Sequence, residues 1–437
     1  MSGPMNREIT RQFDVLVVGG GPAGISAALS AAEQGAHVGI VDDNHNLGGQ
    51  IWRGEATNCT SAASHWINGL SGKGVESLCA ARVVDQIGPN TLLAETADHI
   101  CELSYSKLVL ATGARERFLP FPGWTLPNVM GAGALQALVK SGLPVHGKRV
   151  VIAGTGPLLL AVASCLRKHG AKIAIICEQA SRASLARFGF SLLAYPQKIR
   201  QALSLRKDLS GIRFVPDCWP VAAIGDGVLE QLTLARGNDV ENISCDYLAC
   251  GFHLVPNTEL PSLLGCRLRD GFVEVDDFQR TSAPDVFCAG EPTGIGGLEL
   301  SLVEGQIAGL AAAGNVGDAH KLFRSRARLQ KFKKKLDHAF TLRPELKKLP
   351  QPETIVCRCE DVTYGTLSRY RSWRAAKLRT RSGMGPCQGR VCGPATEFLL
   401  GWTPDSVRPP IFPARLQSLG TIPNIEPAQY EAMRGNQ

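Results

Sequence analysis

The glycine loop near the amino terminus constrains the fold of this 437-residue chain more than any other feature. In FDVLVVGGGPAGISAALSAAEQGAHVGIVDDN, a buried strand from Phe13 to Val18 leads into the glycines, a helix from Pro22 to Gln34 follows, and a second strand spans Val38 to Val41. The order strand, glycine turn, helix and strand predicts a βαβ unit whose helix N-terminus faces a pyrophosphate.

The loop GGGPAG supplies the residue types that this binding mode needs. Gly19 permits the tight turn, Gly21 lets the backbone approach a pyrophosphate, and Gly24 lets the helix pack closely on the strand. Asp42 follows the second strand, where a carboxylate accepts hydrogen bonds from both hydroxyls of a ribose. A lone GxGxxG is weak evidence, but here its strand, helix and carboxylate are all present. The predicted site comprises Gly19, Gly21, Pro22, Ala23, Gly24, Asp42 and Asp43.

A second glycine loop, in GKRVVIAGTGPLLLAVASCLRKHGAKIAIICE, begins the same pattern again. Gly154 and Gly156 match the first two motif positions, but Leu159 stands at the third, where its side chain crowds helix, strand and pyrophosphate. Glu178 ends the next strand, where it suits a ribose diol and repels a 2′-phosphate. We therefore predict NAD or another adenine nucleotide rather than NADP. The alternative is a domain that serves packing and a partner surface.

Two later segments indicate FAD in the first site through a resemblance. LVLATGA and DVFCAGE resemble the later signatures of the two-dinucleotide-domain flavoproteins, the family of glutathione and thioredoxin reductases, and LGGQIW looks like that family's loop near the flavin. In the family a carboxylate at the end of the second signature binds the ribityl chain, and Glu291 stands where an Asp is commoner. The resemblance implies FAD contacts at Gly49, Gln50, Ala111, Thr112, Gly113, Gly290 and Glu291.

Disulfide reductases of this fold carry two neighbouring cysteines beside the flavin or in the second nucleotide domain. Here Cys59 is alone in the corresponding loop, without the second cysteine of a CxxC or CxxxxC pair. The sequence therefore disfavours dithiol chemistry, and we interpret Cys59 as a packed thiol.

Four of the fourteen cysteines form a spaced set near the carboxyl end. Cys357 and Cys359 form a CxC motif, and Cys387 and Cys392 form CxxxxC in the loop GMGPCQGRVC. Four thiolates suit zinc or an iron–sulfur cluster. Paired CxxC knuckles are typical of structural zinc, whereas this spacing and the glycines, whose backbone N–H groups can point at sulfur, favour [2Fe–2S]. Zinc remains the alternative.

The cysteine module resembles the [2Fe–2S] domain of bacterioferritin-associated ferredoxin. With the preceding flavoprotein, it resembles the α subunits of bacterial amine-oxidising complexes: opine oxidases, hydrogen cyanide synthase, dye-linked proline dehydrogenases and D-hydroxyproline dehydrogenase. The resemblance runs from Phe13 to beyond Cys392 and rests on VVGGGPAG, GGQIWR, LATGARER, AGTGPLLL, CAGE and CRCEDVT. It implies an FAD-containing β subunit that oxidises the amine, and in many complexes a small ferredoxin-like subunit.

The fold class that we predict is α/β, with two Rossmann-like dinucleotide-binding domains and a small, α-rich C-terminal domain that binds [2Fe–2S]. The expected boundaries are 1–145 with 278–318 for a discontinuous FAD-binding domain, 146–277 for the second nucleotide domain, 319–352 for a basic helix and linker, 353–400 for the cluster domain and 401–437 for a proline-containing tail. We interpret the basic helix, Lys321 to Lys335, as a solvated face, with docking of an acidic redox partner as the alternative.

These parts predict an electron-transfer subunit of a multi-subunit amine or amino-acid dehydrogenase, of the D-hydroxyproline, opine, proline or glycine type. Its FAD would take electrons from the partner subunit, and its cluster would pass them to an acceptor. We assign no catalytic residue, because the nine histidines are scattered and none is paired with an acid in a motif. Two alternatives stay open: a self-sufficient NADH-dependent flavin oxidoreductase, and a chiefly structural subunit.

Composition argues against other classes of partner. The formal charge of +8 is modest, and the sequence has no zinc finger, RNP motif or basic region before heptads, so we expect no nucleic acid partner. The polar start, MSGPMNREITRQ, lacks the apolar segment of a secretory signal, and no apolar run approaches a bilayer span. We expect a cytoplasmic protein without a transmembrane segment. Peripheral association with the inner face of the membrane through the complex stays open.

Overall fold

The computed structural model describes residues 8–53, 62–237, 239–403 and 407–420. The strands are β1 (Glu8–Val18), β2 (Val38–Val41), β3 (Glu76–Leu78), β4 (Arg82–Gly88), β5 (Thr91–Glu95), β6 (Ile100–Leu110), β7 (Ala114–Glu116), β8 (Val129–Gly131), β9 (Arg149–Thr155), β10 (Lys172–Glu178), β11 (Phe214–Pro216), β12 (Cys218–Ile224), β13 (Gln231–Arg236), β14 (Asp239–Ser244), β15 (Tyr247–Phe252), β16 (Leu254–Pro256), β17 (Leu268–Arg269), β18 (Phe272–Val273), β19 (Val286–Cys288), β20 (Ile355–Cys357) and β21 (Val362–Thr363). The helices are α1 (Pro22–Ala32), α2 (Ala62–Gly72), α3 (Ala132–Lys140), α4 (Leu158–Lys168), α5 (Arg182–Ser191), α6 (Pro196–Asp208), α7 (Glu259–Leu263), α8 (Gly297–Ala312), α9 (Val316–Lys321), α10 (Phe323–Ala339), α11 (Tyr364–Leu367), α12 (Trp373–Thr380), α13 (Cys392–Leu400) and α14 (Leu416–Gly420). Short 3₁₀ turns stand at Leu192–Ala194, Glu291–Thr293 and Pro344–Lys348.

The first compact unit contains the described parts of residues 1–115, 256–331 and 406–437. Its main sheet has the strand order β3-β2-β1-β6-β5-β4, with β19 added to the carboxyl-terminal end of β6. β1, β2, β3, β6 and β19 are parallel, so their carboxyl ends meet at one edge, whereas β4, β5 and β6 are joined antiparallel. The carboxyl-terminal end of β1 is an apolar run, Val15 to Val18, that is buried throughout, as expected for a parallel strand covered on both faces.

Helices α1 and α8 of this unit pack closely because small residues face each other. A Cβ added to Gly305 would lie 2.2 Å from the carbonyl oxygen of Ala23, and one added to Gly309 would lie 2.1 Å from that of Ala27. No side chain fits at such separations, so these positions need glycine. The close packing holds the start of α1, and with it the first glycine loop, against α8.

The second compact unit contains the described parts of residues 116–255 and 332–405. Its main sheet is parallel, with the strand order β11-β10-β9-β15-β8, and an antiparallel sheet of β12, β13 and β14 belongs to the same unit. Helix α4 follows β9 and buries one face, including Leu159, in a hydrophobic cluster with strand residues. Leu159 is 1% exposed, so the side chain that replaces the third motif glycine is a core residue.

The cysteine segment forms a small, mostly helical part of the second unit. β20 and β21 make a two-stranded antiparallel ribbon, and α11, α12 and α13 follow it. The local core consists of Val356, Cys357, Val362, Leu367, Trp373, Ala376, Cys392, Ala395 and Trp402. Two of the four spaced cysteines therefore belong to a packed core, and their positions are fixed by it.

The compact units group the chain differently from the expected domains, whose boundaries stay predictions. Two of the differences involve short elements. Residues 116–145 lie in the second unit, because β8 pairs with β15 and extends that sheet. Residues 256–277 lie in the first unit, where Leu260 and Leu263 of α7 join the hydrophobic core. Neither short element has a glycine motif, so the sequence alone did not place them.

Candidate functional site

The first glycine loop joins the carboxyl end of β1 to α1. Gly19 has a φ of 109°, which favours glycine, and a Cβ there would lie 2.2 Å from the carbonyl oxygen of Ala111. A Cβ on Gly24 would lie 1.8 Å from the carbonyl oxygen of Gly19. Gly21 is the N-cap residue of α1, so the free N–H groups of the first helical turn stand beside the loop, where they suit an anion.

Asp42 is 7% exposed and ties the loop to the end of β2. Its carboxylate accepts a hydrogen bond from the backbone N–H of Gly20 and two from Asn44, through the backbone N–H and the side-chain amide, each of the latter at 2.7 Å. Arg53 donates to the side-chain oxygen of Asn44 at 2.7 Å. A carboxylate has about four acceptor positions, so Asp42 positions the loop and keeps an acceptor for a ribose hydroxyl.

The GGQ segment lies directly on the glycine loop. The backbone N–H of Gly48 donates to the carbonyl oxygen of Gly20 at 2.7 Å. Gly49 has a φ of 58°, and a Cβ there would lie 2.9 Å from the Cα of Gly21. Gln50 is exposed at the end of this close approach. The structure thus brings the two glycine segments together, and the side chain of Gln50 lies at the surface.

The ATG and CAGE segments reach the same loop from two other strands. The backbone N–H of Ala111 donates to the carbonyl oxygen of Val18 at 2.8 Å, which holds the end of β6 beside the end of β1. Gly290 has a φ of 79°, and a Cβ there would lie 2.8 Å from the Cβ of Ala23. Pro22 and Ala23 are both buried in the first turn of α1. Four sequence segments therefore converge on one end of the sheet.

Asn257 holds the ATG turn, and sequence reasoning missed it. Its side-chain amide donates to the carbonyl oxygen of Thr112 at 2.9 Å, and its own carbonyl oxygen accepts from the Thr112 hydroxyl at 2.6 Å. The backbone N–H of Asn257 donates to the carbonyl oxygen of Gly113 at 3.0 Å, and Arg115 donates to its side-chain oxygen at 2.7 Å. A single asparagine distant in sequence carries no spacing signal, so only the fold reveals this role.

Two carboxylates lie at the CAGE segment, whereas the sequence predicted only that of Glu291. Glu291 accepts a hydrogen bond from the backbone N–H of Gly297 at 2.9 Å. Glu304, on α8, accepts from the backbone N–H of Gly290 and from the hydroxyl of Thr293, each at 3.1 Å. Glu304 is 4% exposed, and burial raises its pKa to about 7. Glu304 thus supports the turn that carries Glu291.

One position named from the sequence, Asp43, stands apart from this cluster. Asp43 is exposed, and its carboxylate lies 3.7 Å from the guanidinium of Arg82. Cys59 lies outside the described residues. The convergence of the other positions rests mainly on backbone contacts and does not involve the side chain of Asp43.

In the second unit, the glycine loop and its carboxylate bind each other. Gly154 has a φ of 138°, and a Cβ there would lie 1.9 Å from the backbone of β15. Glu178 accepts hydrogen bonds from the backbone N–H of Gly156 at 2.7 Å, the hydroxyl of Thr155 at 2.9 Å and the backbone N–H of Ala180 at 2.8 Å. Glu178 is 2% exposed, and burial raises its pKa to about 7. Its oxygens face the protein interior.

Residues 340–343, which we call the closing segment, follow α10 and lie against this loop. Gln179 is fully buried and links the two: its side-chain amide donates to the hydroxyl of Thr155 at 2.9 Å and to the carbonyl oxygen of Thr341 at 3.3 Å. The backbone N–H of Arg343 donates to the side-chain oxygen of Gln179 at 3.2 Å. The closing segment is therefore bonded to the residues around the glycine loop.

Further contacts fix both ends of the closing segment. The imidazole Nε2 of His253 donates to the carbonyl oxygen of Phe340 at 2.6 Å, and Arg343 donates to the carboxylate of Asp217 at 2.7 Å. Phe340 is 5% exposed and packs in a cluster with Ala180. Ligands of open α/β sheets bind at the carboxyl ends of the strands. In this unit, the closing segment of the chain itself lies at the carboxyl ends of the strands.

The four spaced cysteines meet as two pairs. The thiol of Cys392 donates to the sulfur of Cys357, which lowers the pKa of Cys357 to about 5 and raises that of Cys392. The hydroxyl of Ser382 lies 3.9 Å from the sulfur of Cys392. Cys359 is exposed, and its sulfur is hydrogen-bonded to both the backbone N–H and the side chain of Cys387. Two sequence motifs about thirty residues apart are thus joined in space.

The surroundings of the thiols suit thiolate ligands. The backbone N–H groups of Gly383 and Glu360 donate to the sulfur of Cys357. A Cβ on Gly385 would lie 2.3 Å from the Cβ of Cys359 and 3.4 Å from its sulfur, so a side chain at this position would displace Cys359. Backbone N–H donors aimed at sulfur stabilise negative charge on a thiolate. The surroundings of the two cysteine pairs therefore suit thiolates, the form in which cysteine binds a metal.

Two features are absent from the described part of the chain. No group of three or more His, Cys, Asp or Glu side chains is gathered there closely enough to hold a metal ion, and the cysteines approach each other as pairs. No helix among the described residues has the length and apolar character needed to cross a membrane.

The family model described as pyridine nucleotide-disulphide oxidoreductase matches residues 13–313. The chain therefore belongs to the pyridine nucleotide-disulphide oxidoreductase family and is an FAD-dependent oxidoreductase by family. The match covers both glycine loops and ends before α10.

Three proteins illustrate the similarity. Hydrogen cyanide synthase subunit HcnB of Pseudomonas aeruginosa is 32% identical over 420 residues, covering 86% of this chain and 90% of its own length. An opine oxidase subunit from Agrobacterium tumefaciens is 30% identical over 471 residues, covering 94% of this chain and 92% of its own length. The crystal structure of L-proline dehydrogenase from P. horikoshii matches with a TM-score of 0.68 at 19% identity, covering 95% of this chain and 80% of that one.

These similarities confirm the sequence-based resemblance to the opine oxidase and hydrogen cyanide synthase subunits and the predicted α/β fold class. The [2Fe–2S] module, the partners and the individual binding residues stay predictions.

Proposed function

We propose that the chain is the FAD- and [2Fe–2S]-containing electron-transfer subunit of a multi-subunit amine or amino-acid dehydrogenase. One observation carries the proposal: a single chain holds a flavoprotein glycine loop with its carboxylate and four cysteines paired beside backbone N–H donors. When bound, FAD accepts two electrons at once and a [2Fe–2S] cluster carries one at a time. The relatives named as subunits of hydrogen cyanide synthase and opine oxidase support a heteromeric complex. In that complex we expect an FAD-containing, amine-oxidising β subunit, with a small ferredoxin-like subunit as a further candidate partner.

In the proposed flavin site, backbone groups do most of the binding. The N–H groups at Gly21 and in the first turn of α1 bind the pyrophosphate, and Asp42 binds a ribose hydroxyl. The ATG turn stays in place because Asn257 holds it from both sides. Glu291 contributes its carboxylate to the ribityl chain, and Glu304 holds the turn beneath it. This chain needs no general base, since we propose that the amine is oxidised in the β subunit.

In the proposed cluster site, Cys357, Cys359, Cys387 and Cys392 are the ligands. Gly385 has no side chain that would displace Cys359, and N–H donors to Cys357 stabilise its thiolate. Those donors also help set the reduction potential, because hydrogen bonds to the ligating sulfurs shift it. Zinc would use the same four thiolates, so a metal assay separates the two assignments.

The closing segment favours electron entry from a partner subunit over electron entry from NADH. Glu178, the residue that suits a ribose diol, is 2% exposed and uses both oxygens on its own loop. Gln179 and Arg343 bond the closing segment over that place. A dinucleotide would have to displace these contacts to bind. The self-sufficient NADH oxidoreductase is therefore the less supported reading.

The test is spectroscopic. The protein purified anaerobically should show flavin and cluster absorption that bleaches with dithionite, together with about two irons and two acid-labile sulfides per chain, the composition of a [2Fe–2S] cluster. Cys387→Ser should remove the iron and leave the flavin. Zinc equal to protein with no cluster absorption would overturn the cluster assignment.

A chiefly structural subunit would give a different result in the assembled complex. Asp42→Ala should lower both flavin content and the rate of dye reduction with the amine substrate, because electrons leave through this chain. If this chain carries no flavin within the complex and Asp42→Ala leaves the activity unchanged, the structural role replaces electron transfer.

A further inference from the structure

Helices α5 and α6 form an excursion between β10 and β11 that has no buried residue in either helix. Three large apolar side chains on it are unusually exposed: Phe190 at 77%, Leu193 at 71% and Leu203 at 59%. We call these three residues the Phe190 face. Single exposed apolar residues are common on monomers, whereas several on one short excursion indicate a surface that another molecule covers.

The inner side of the same excursion is packed, which fixes its orientation. The ring of Phe188 lies 5.3 Å from that of Phe340, and the ring of Tyr195 lies 5.0 Å from that of Phe332. The ammonium group of Lys198 lies 5.4 Å from the centre of the Phe332 ring. α5 is thus anchored by residues of its own unit, and Phe190 points away because that side is already filled.

Phe190 and Leu193 form one continuous surface. Ser191 and Leu192 both have right-handed helical backbone angles, so α5 runs directly into the 3₁₀ turn at 192–194. Residues three apart in such a helix lie on the same side, one turn from each other. Leu203 is exposed on α6, the helix that contacts this turn.

The positive charge of the segment around the Phe190 face favours an acidic partner. Residues 179–207 contain no Asp or Glu. Their six cationic side chains are Arg182, Arg187, Lys198, Arg200, Arg206 and Lys207. A second copy of this chain would bring two cationic rims together across a two-fold interface, which like-charge repulsion opposes. Both cations of α5 are arginines, and arginine with aromatic residues is typical of protein interfaces, where lysine is depleted.

We propose that the Phe190 face is the docking site for the amine-oxidising flavoprotein subunit, which presents an apolar pocket with an acidic rim. The inference rests on the proposed function, since it names the surface through which that complex assembles. Phe190 and Leu193 are the anchors, and Arg182 and Arg187 steer the encounter.

The experiment measures binding between the purified chain and the companion amine-oxidising flavoprotein subunit. The double substitution Phe190→Ser with Leu193→Ser should weaken binding at least about 30-fold, the loss expected when central apolar anchors are removed. Val240→Ser is the matched control, because Val240 is 65% exposed in the same unit, and its Kd should stay within about twofold of the unmodified chain. Arg187→Glu should lower the association rate and reduce its salt dependence.

Each other outcome has a defined meaning. If the unmodified chain binds the companion and the double variant binds equally well with unchanged flavin content and circular dichroism, the docking inference is wrong and the proposed function stands. If the double variant still binds the companion but no longer sediments with phosphatidylserine-containing vesicles, the face binds membranes and the inference is wrong. If the unmodified chain self-associates and the variant is monomeric, a second copy covers the face and the inference is wrong. If the unmodified chain does not bind the companion, the proposed function fails and the inference fails with it.

Discussion

The burial of Glu304 beside the proposed flavin site can be tested through the pH dependence of the free energy of unfolding. The carboxyl is 4% exposed on α8, and burial raises its pKa from the usual 4.5 to about 7. Above pH 4.5 the unfolded chain has released this proton while the folded chain still holds it. The free energy of unfolding therefore falls as the pH rises, and it levels off above the folded pKa.

The magnitude follows from the difference between the two pKa values. A rise from 4.5 to about 7 makes the folded state about 3 kcal/mol less stable above pH 7 than below pH 4.5. Roughly 2 kcal/mol of that loss falls between about pH 5.5 and about pH 7.5. Glu304→Gln has nearly the same shape and can still accept from Gly290 and Thr293, but it does not titrate, so its variant should lack this loss.

The assay is urea unfolding of the first unit, followed by flavin fluorescence, at the two pH values for both proteins. Glu178 has the same raised pKa but belongs to the second unit, so Glu178→Gln is the control that should leave the first transition unchanged. The reasoning is refuted if Glu304→Gln has the same pH dependence as the unmodified chain. It is also refuted if Glu178→Gln removes the dependence of the first transition.

Three further predictions concern the other sites. Anaerobic NADH should not bleach the flavin, and equilibrium dialysis should detect no tight NADH binding; rapid bleaching would show that the closing segment opens. Gly385→Ala should lower bound iron several-fold, because the new Cβ would lie 2.3 Å from the Cβ of Cys359, whereas Gly317→Ala, whose nearest neighbour is 3.8 Å away, should leave iron content unchanged. Gly24→Ala should abolish flavin binding or lower stability by more than about 3 kcal/mol, since its Cβ would lie 1.8 Å from the carbonyl oxygen of Gly19; chemical denaturation and flavin content, with Gly317→Ala as reference, check this.

Features encoded by consecutive residues could be predicted from the sequence. The order of strand, glycine turn and helix is written in consecutive residues, and both glycine loops lie where the pattern predicts. The spacing of the four cysteines also identified the residues that the fold pairs. Asn257 and Glu304 escaped notice because each acts on a distant turn through one or two hydrogen bonds, and such contacts leave no periodic signal.

The amino-acid sequence by itself determined the two βαβ units, the carboxylates that end their second strands and the cysteine set, because glycine spacing and apolar periodicity act over a few residues. Only the tertiary structure decided what each carboxylate faces. Asp42 keeps an acceptor beside the first loop, whereas Glu178 is enclosed by Thr155, Gly156 and the closing segment from more than 150 residues away. The two motifs are similar in sequence, but different distant segments of the chain pack against them. Burial by those segments therefore decides whether the carboxylate keeps a free acceptor.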